Sequence, residues 1–106
     1  MKVIIESPYA GFVKRNIAYA RLCMKDSLKR GEYPLCSHIL YTQDGILDDS
    51  IPEERALGIE AGLIWGKEAE KTVVYIDFGT SKGMQEGIDR ALKESRPVVF
   101  RKILEH

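Results

Sequence analysis

Hydrophobic residues along this chain fall into two kinds of pattern that alternate from the N-terminus onwards. Short, continuous apolar runs, as in KVIIE (Lys2–Glu6) and TVVYIDF (Thr72–Phe78), are typical of strands that are covered on both faces of a sheet. Between such runs, apolar positions recur every three or four residues, as at Val13, Ile17 and Ala20, which is typical of amphipathic helices.

These two patterns predict four strands and three helices in strict alternation. The predicted strands are KVIIE at 2–6, YPLCSHIL at 33–40, TVVYIDF at 72–78 and PVVFRKI at 97–103, and the predicted helices cover 12–30, 50–70 and 82–94. Strands that alternate with helices favour a parallel sheet with right-handed crossovers. We therefore expect an α/β protein of one domain, residues 1–106, with KVIIE and TVVYIDF as adjacent central strands of a four-stranded parallel sheet.

The second predicted helix has two distinctive features. Ser50 followed by Glu53 is the pattern of a capping box at its start. Gly58, Gly62 and Gly66 then recur every four residues, although each glycine inside a helix costs about 1 kcal/mol relative to alanine. This spacing indicates a close approach of the helix backbone to the sheet or to a second subunit, and we expect a homo-oligomer that uses the glycine face or the neighbouring Trp65.

Composition narrows the class of protein. The chain has 106 residues, 44% of them hydrophobic, and its 16 basic and 16 acidic side chains give no net charge. Balanced charge argues against binding to a nucleic-acid polymer or to an anionic membrane. No apolar run approaches the length of a membrane helix and the N-terminus does not resemble a signal peptide, so we expect a cytoplasmic protein in which Cys23 and Cys36 are buried, reduced thiols.

Candidate chemistry lies beyond the carboxyl ends of the predicted strands, where open parallel sheets bind their ligands. Those segments include SPYAG after the first strand and DFGTSKG after the third, both rich in small and polar residues. The candidate ligand-binding residues are Ser7, Pro8, Tyr9, Gly11, His38, Gly79, Thr80, Ser81, Lys82 and Gly83. Tyr9 can stack on a base or can simply be a rim tyrosine, and His38 is more typical of a capping or core-edge histidine than of a catalytic one.

The GTSKG turn (79–83) and Glu86 each admit two interpretations. Free N–H groups at a helix start favour an anion, and Ser81 and Lys82 add a hydroxyl and a charge. The same residues are also typical of an ordinary helix N-cap, and the spacing is neither that of a P-loop nor that of a dinucleotide-binding loop. Glu86 is either a solvated helix acid or a carboxylate that faces a sugar bound at the turn.

The stretches IIESPYAG, RNIAYARLCMKDSLKRGEYPLCSH and SKGMQEGIDRALKESRPVVF resemble the nucleoside 2-deoxyribosyltransferase-like superfamily, in particular its small phage and bacterial members of unassigned function. The resemblance implies a flavodoxin-like three-layer fold that binds a nucleoside or nucleotide. The cysteines and histidines show no metal-binding spacing, so we expect no metal, and we expect no cofactor. The resemblance also implies that Glu86 is the nucleophile at the anomeric carbon while Ser81 holds the 5′ end of the sugar. The family usually has an aspartate directly before that serine, where this chain has Thr80, so Asp77 is the nearest candidate for a second catalytic acid.

Two functional hypotheses follow from these residues. The first is an enzyme that cleaves or exchanges the N-glycosidic bond of a nucleoside or nucleotide. The second is a non-catalytic binder of a nucleotide or an ADP-ribose-like signal, for example a phage anti-defence sponge. A second acid close to Glu86 favours the enzyme, and an enclosed pocket at a subunit interface without an acid pair favours the binder.

Overall fold

The structure is a computed structural model that describes residues 1–104, so the last two residues of the predicted domain lie outside the described part. The elements, in chain order, are β1 (Lys2–Glu6), α1 (Val13–Lys29), β2 (Tyr33–Leu35), α2 (Ser37–Leu40), α3 (Pro52–Gly66), β3 (Lys71–Tyr75), α4 (Lys82–Lys93) and β4 (Val98–Arg101).

The four strands form one sheet in the order β2-β1-β3-β4, and every neighbouring pair is parallel. The predicted central position of β1 and β3 is confirmed, with Ile5 opposite Val73 in their register. Val3 and Ile5 are each 1% exposed and Val73 and Val74 are fully buried, as expected for strands that are covered on both faces.

The strand order sets which face of the sheet each helix covers. The connection from β1 to β2 runs in one direction along the sheet, and the connections from β2 to β3 and from β3 to β4 run in the other. Because parallel crossovers are right-handed, α1 lies on one face and α3 and α4 lie on the opposite face. Accordingly, Tyr19, Ala20 and Cys23 of α1 pack on one side of the sheet, whereas Met84 and Ile88 of α4 pack on the other.

The segment YPLCSHIL is only partly a strand, contrary to its prediction. Strand β2 ends at Leu35, and after Cys36 the chain turns into the short helix α2, in which the N–H groups of Ile39 and Leu40 donate to the Cys36 carbonyl. Ile39 packs on the core from this helix. A short apolar run has the same composition in a buried strand and in a buried helical turn, so periodicity did not distinguish them.

The helix starts agree with the sequence in one case and differ in another. The predicted capping box at Ser50 is wrong, since α3 is capped by Ile51 without a side-chain bond and the Ser50 hydroxyl donates to Asp48 instead. Ser81 does cap α4, where its hydroxyl accepts a hydrogen bond from the Met84 N–H at 3.2 Å.

The three glycines of α3 face residues of the same chain. A side chain at Gly62 would overlap Ser37 of α2, one at Gly58 would meet Leu47, and one at Gly66 would meet Arg96. The close approach predicted from the glycine spacing is therefore made within the subunit, and the spacing is no longer an argument for an oligomer. Trp65 is 55% exposed.

None of the helices within residues 1–104 combines the length and the apolar character that a bilayer crossing needs.

Candidate functional site

A cleft of about 510 Å³ opens at the carboxyl end of β1, between α3 and α4. Its volume lies within the range of roughly 300–1,000 Å³ that is usual for small-molecule sites. Ile4 and Glu6 reach it from β1, and Ile59 and Leu63 line it from α3. The cleft lies where the strand order reverses direction, between β1 and β3, which is the usual place for a ligand in open α/β sheets.

Most of the residues that the sequence singled out meet in this cleft. Those that line it are Ser7, Tyr9, His38, Ser81, Lys82, Gly83 and Glu86. Those that do not are Pro8, Gly11, Asp77, Gly79 and Thr80, of which Gly11 lines an adjoining trough. The cleft thus contains the GTSKG turn from Ser81 onwards together with the segment that follows β1.

The start of α4 forms one end of the cleft. In the first turn of a helix the N–H groups have no acceptor within the helix itself. Ser81 accepts from the N–H of Met84, which leaves those of Lys82 and Gly83 for water or a ligand. Within residues 1–104, Lys82 forms no ion pair, so its charge adds to the favourable environment for an anion.

Glu86 lies one turn into α4, and its exposed side chain lines the cleft. The helix therefore presents an anion-favouring end and, one turn further on, a carboxylate to the same space. An exposed position beside the cleft is compatible with both interpretations of Glu86, a solvated helix acid and a carboxylate that faces a bound sugar.

Glu6 is a second carboxyl group in the cleft, and the sequence did not single it out. Its half-buried side chain lies against Gly87, where an added Cβ would overlap the carboxyl group, and none of the side-chain hydrogen bonds within residues 1–104 involves that carboxyl group. Burial raises the pKa of Glu6 to about 8, and the positive charge of Arg96 offsets only part of this effect. The sequence feature that could have identified Glu6 is the presence of a glutamate at the end of an otherwise apolar central strand.

Ser7 and His38 form a polar pair beside Glu6. The Ser7 hydroxyl lies 2.8 Å from Nε2 of His38, and the Cys36 thiol lies 3.4 Å from the same nitrogen. Burial lowers the pKa of His38 to about 4, so its imidazole is neutral near pH 7. Tyr9 meets the His38 ring edge-on, with ring centroids 6.3 Å apart.

Two arginines of the cleft are bound to one carboxylate. Arg96 donates to Glu94 at 2.7 Å and to the Thr72 hydroxyl at 2.9 Å, and Arg90 donates to Glu94 at 2.9 Å. These contacts hold the end of α4 on the sheet and leave Glu6 without a directly bonded cation.

Asp77, predicted as the second catalytic acid, has a different environment. Its carboxylate accepts hydrogen bonds from the Tyr19 hydroxyl at 2.5 Å and from the N–H groups of Ile103 at 3.0 Å and Leu104 at 2.9 Å. It therefore holds the segment after β4 against α1. Besides Glu86, the acidic residues that line the cleft are Glu6, Asp49 and Asp89, of which Asp49 lies 3.8 Å from Arg55 and Asp89 accepts a hydrogen bond from Gln85.

These features define an α/β protein with a cleft at the carboxyl end of its parallel sheet that is lined by apolar as well as polar side chains. A family model described as Domain of unknown function (DUF7768) matches residues 1–101, and the chain belongs to this family. No curated protein matches the chain.

Among solved structures, the chain is similar to one described as a 2-deoxyribosyltransferase from the psychrotolerant bacterium Bacillus psychrosaccharolyticus, a biocatalyst for the synthesis of antiviral and antitumoral nucleosides. The TM-score is 0.68 at 17% sequence identity, over 99% of this chain and 77% of that one. A likeness at this identity concerns the fold, and it confirms the predicted flavodoxin-like α/β architecture.

Proposed function

We propose that this protein binds a nucleoside or nucleotide in the cleft and cleaves or exchanges its N-glycosidic bond, with Glu86 as the nucleophile. The observation that carries the proposal is that two carboxyl groups, those of Glu86 and Glu6, line one small-molecule cleft that also contains a helix N-terminus. The fold likeness to a 2-deoxyribosyltransferase supports a nucleoside as the class of ligand.

In the proposed binding mode, the phosphate or 5′-hydroxyl group of the ligand lies on the N–H groups of Lys82 and Gly83 and on the Ser81 hydroxyl. Charge-assisted hydrogen bonds of this kind are each worth about 1.5–3 kcal/mol. The sugar then extends towards Glu86, and Tyr9 packs on the sugar or on the base. Asp77 has no part in this binding mode, because its carboxylate is bound to Tyr19 and to the backbone after β4.

The chemistry is that of a carboxylate nucleophile at an anomeric carbon. An oxygen of Glu86 forms a bond to C1′ as the bond from C1′ to the base nitrogen breaks, which yields a glycosyl ester. Attack on C1′ by water completes hydrolysis, and attack by a second base completes exchange. Either attack breaks the ester bond and regenerates the Glu86 carboxylate.

Substitution of Glu86 by Gln tests this proposal, because it keeps the shape of the side chain and removes the nucleophile. Purified protein is incubated with 2′-deoxynucleosides and their 5′-monophosphates, and the free base is measured by chromatography. We expect Glu86→Gln to lower kcat by roughly a thousandfold or more and to leave ligand affinity, measured by calorimetry, within about threefold. Glu60→Gln, an exposed substitution on α3 outside the cleft, is the matched control and should behave as wild type.

Three outcomes separate the hypotheses. Turnover that Glu86→Gln abolishes supports the enzyme. Binding without turnover in either protein supports the non-catalytic binder. Turnover that survives in Glu86→Gln excludes the nucleophile role.

A further inference from the structure

We propose that Glu6 is the general acid of this site and donates its proton to the base as the base leaves. This inference rests on the proposed function and assigns a role to a residue that was not among the candidate site residues of the sequence. The attack by Glu86 on C1′ supplies no proton to the leaving base. The proposal assigns the group that donates this proton and so makes the leaving base neutral.

The position of Glu6 brings the two carboxyl groups to the same part of the cleft. Glu6 extends from the end of β1 and lies against Gly87, the residue after Glu86 on α4. Because consecutive Cα atoms are about 3.8 Å apart, the Glu6 carboxyl group and the origin of the Glu86 side chain are separated by one peptide unit. Successive side chains of a helix point about 100° apart, so Glu86 and the Gly87 position that Glu6 contacts face different directions. In the proposed binding mode the anomeric centre of the sugar lies between the two carboxyl groups, both of which line the cleft.

The surroundings of Glu6 keep it protonated near neutral pH. The groups that share its environment are Cys36 and His38 beside α2, Arg55 of α3, Glu86 and Arg90 of α4, and Arg96 after α4. The first turn and later turns of α4 add Lys82, Asp89 and Lys93 to the same cleft. Arg90 and Arg96 are bound to Glu94, and Arg55 lies 3.8 Å from Asp49, so none of these cations is bonded to Glu6.

Glu6 is also a better proton donor than His38, a second half-buried group of the cleft whose pKa is shifted. Its pKa is raised to about 8 by burial, so it carries a proton at pH 7, near the value at which a general acid is most effective. His38, whose pKa is lowered to about 4, has no acidic proton to give at that pH and is bound to Ser7. Glycosidases commonly use one protonated carboxyl group as the general acid and a second carboxyl group as the nucleophile.

The proposed step balances in atoms and charge. As Glu86 forms its bond to C1′, the electrons of the breaking glycosidic bond go to the base nitrogen, which takes the proton from the Glu6 carboxyl group. Glu6 is then a carboxylate. When water attacks C1′, Glu6 accepts a proton from that water, and both carboxyl groups return to their starting states.

A pair of substrates that differ in their need for an acid tests this role. 2′-Deoxyguanosine needs protonation to release its base, whereas N7-methyl-2′-deoxyguanosine carries a fixed positive charge on the base and releases it as a neutral molecule. Both are measured with wild type, Glu6→Gln, Glu86→Gln and Glu60→Gln, after subtraction of the uncatalysed release. The 5′-monophosphates of both nucleosides are tested in parallel.

We expect Glu6→Gln to lower kcat on 2′-deoxyguanosine by about 10²- to 10⁴-fold and to change it by less than about tenfold on the methylated substrate. Glu86→Gln should impair both. In wild type, kcat on 2′-deoxyguanosine should fall as pH rises through about 8. If Glu6→Gln does not fold, the pH dependence of kcat in wild type still tests the role of Glu6 as general acid.

Equal effects of Glu6→Gln on the two substrates, or no effect on either, would overturn the acid role while the nucleophile role of Glu86 stands. Wild type that releases neither base overturns the proposed function, and the role of Glu6 falls with it.

Discussion

The carboxyl group of Glu6 fills the space that a side chain at Gly87 would occupy, so the Glu6 side chain lies between strand β1 and helix α4 at this point. Glycine inside a helix costs about 1 kcal/mol relative to alanine, and Gly87 has ordinary helical dihedrals. Gly87 lowers the stability of the helix relative to alanine, and its missing side chain leaves the space that the Glu6 carboxyl group occupies.

Replacing Gly87 by Ala should displace the end of the Glu6 side chain, which is flexible, rather than the backbone. We expect a free energy of unfolding within about 1 kcal/mol of wild type, since the gain in helix propensity offsets the displacement. Turnover of 2′-deoxyguanosine should fall at least tenfold. Gly83→Ala, for which an added Cβ meets open space, is the matched control in helix α4 for chemical denaturation. Full activity in Gly87→Ala would contradict the importance of the Glu6 position.

The raised pKa of Glu6 predicts a specific dependence of stability on pH. Between pH 4.5, the ordinary value, and about pH 8, native Glu6 holds a proton that the unfolded chain has lost. The contribution of Glu6 is therefore fully present below pH 4.5 and is lost as pH rises through 8. Glu6→Gln removes this loss, so its stability relative to wild type should increase from pH 5 to pH 9, by about 1.4 kcal/mol per pKa unit of the shift.

Urea denaturation of both proteins at several pH values measures that difference. His38, whose pKa is lowered, makes stability rise between pH 4 and 6.5 in both proteins, so its effect cancels in the comparison. A difference between the two proteins that does not change with pH would show that Glu6 titrates normally.

Ser81 has a structural role as the cap of α4 and a proposed role in ligand binding, and two substitutions separate them. Ser81→Ala removes the bond to the Met84 N–H and should cost about 1 kcal/mol of stability. Ser81→Asp keeps a capping oxygen but repels a phosphate group. We expect both variants to bind a deoxynucleoside 5′-monophosphate at least tenfold more weakly in calorimetry, with Ser81→Asp close to wild type in stability. Unchanged affinity in both would remove the turn from the binding site.

Asp77 should matter for stability and not for the chemical step. Asp77→Ala leaves the Tyr19 hydroxyl and the N–H groups of Ile103 and Leu104 without their acceptor, at a cost of about 1–3 kcal/mol for each group that stays buried. We expect a loss of about 2–4 kcal/mol in denaturation and a kcat within a few-fold of wild type on the folded protein. Asp44→Ala in the exposed loop is the control. A large loss of kcat without a loss of stability would restore the catalytic role that the sequence suggested.

Assembly through α3 stays a prediction and now rests on its exposed apolar side chains rather than on its glycines. Leu57, Ile64 and Trp65 are each more than half exposed. Trp65→Ser should weaken self-association in sedimentation, whereas Leu22→Ser on α1, on the other face of the sheet, should not. Wild type that sediments as a monomer at micromolar concentration would contradict an oligomer.

The sequence predicted the sheet well because its two central strands are continuous apolar runs, a pattern set by burial on both faces. It predicted the neighbourhood of the cleft because parallel strands direct their following segments to one edge. It did not predict α2, since an edge strand and a helical turn share a composition. It also did not identify Glu6, whose unusual protonation depends on the distant Gly87 and on the shape of the cleft around it.

The protonated state of Glu6 also changes the electrical character of the whole molecule. Counted residue by residue, 16 basic and 16 acidic side chains leave the chain neutral at pH 7. With the Glu6 pKa raised to about 8, the native protein at pH 7 retains most of a proton that this count leaves out, which makes its net charge more positive than the composition indicates. Unfolding at neutral pH releases the proton of Glu6, so the net charge of this protein depends on whether its cleft is folded.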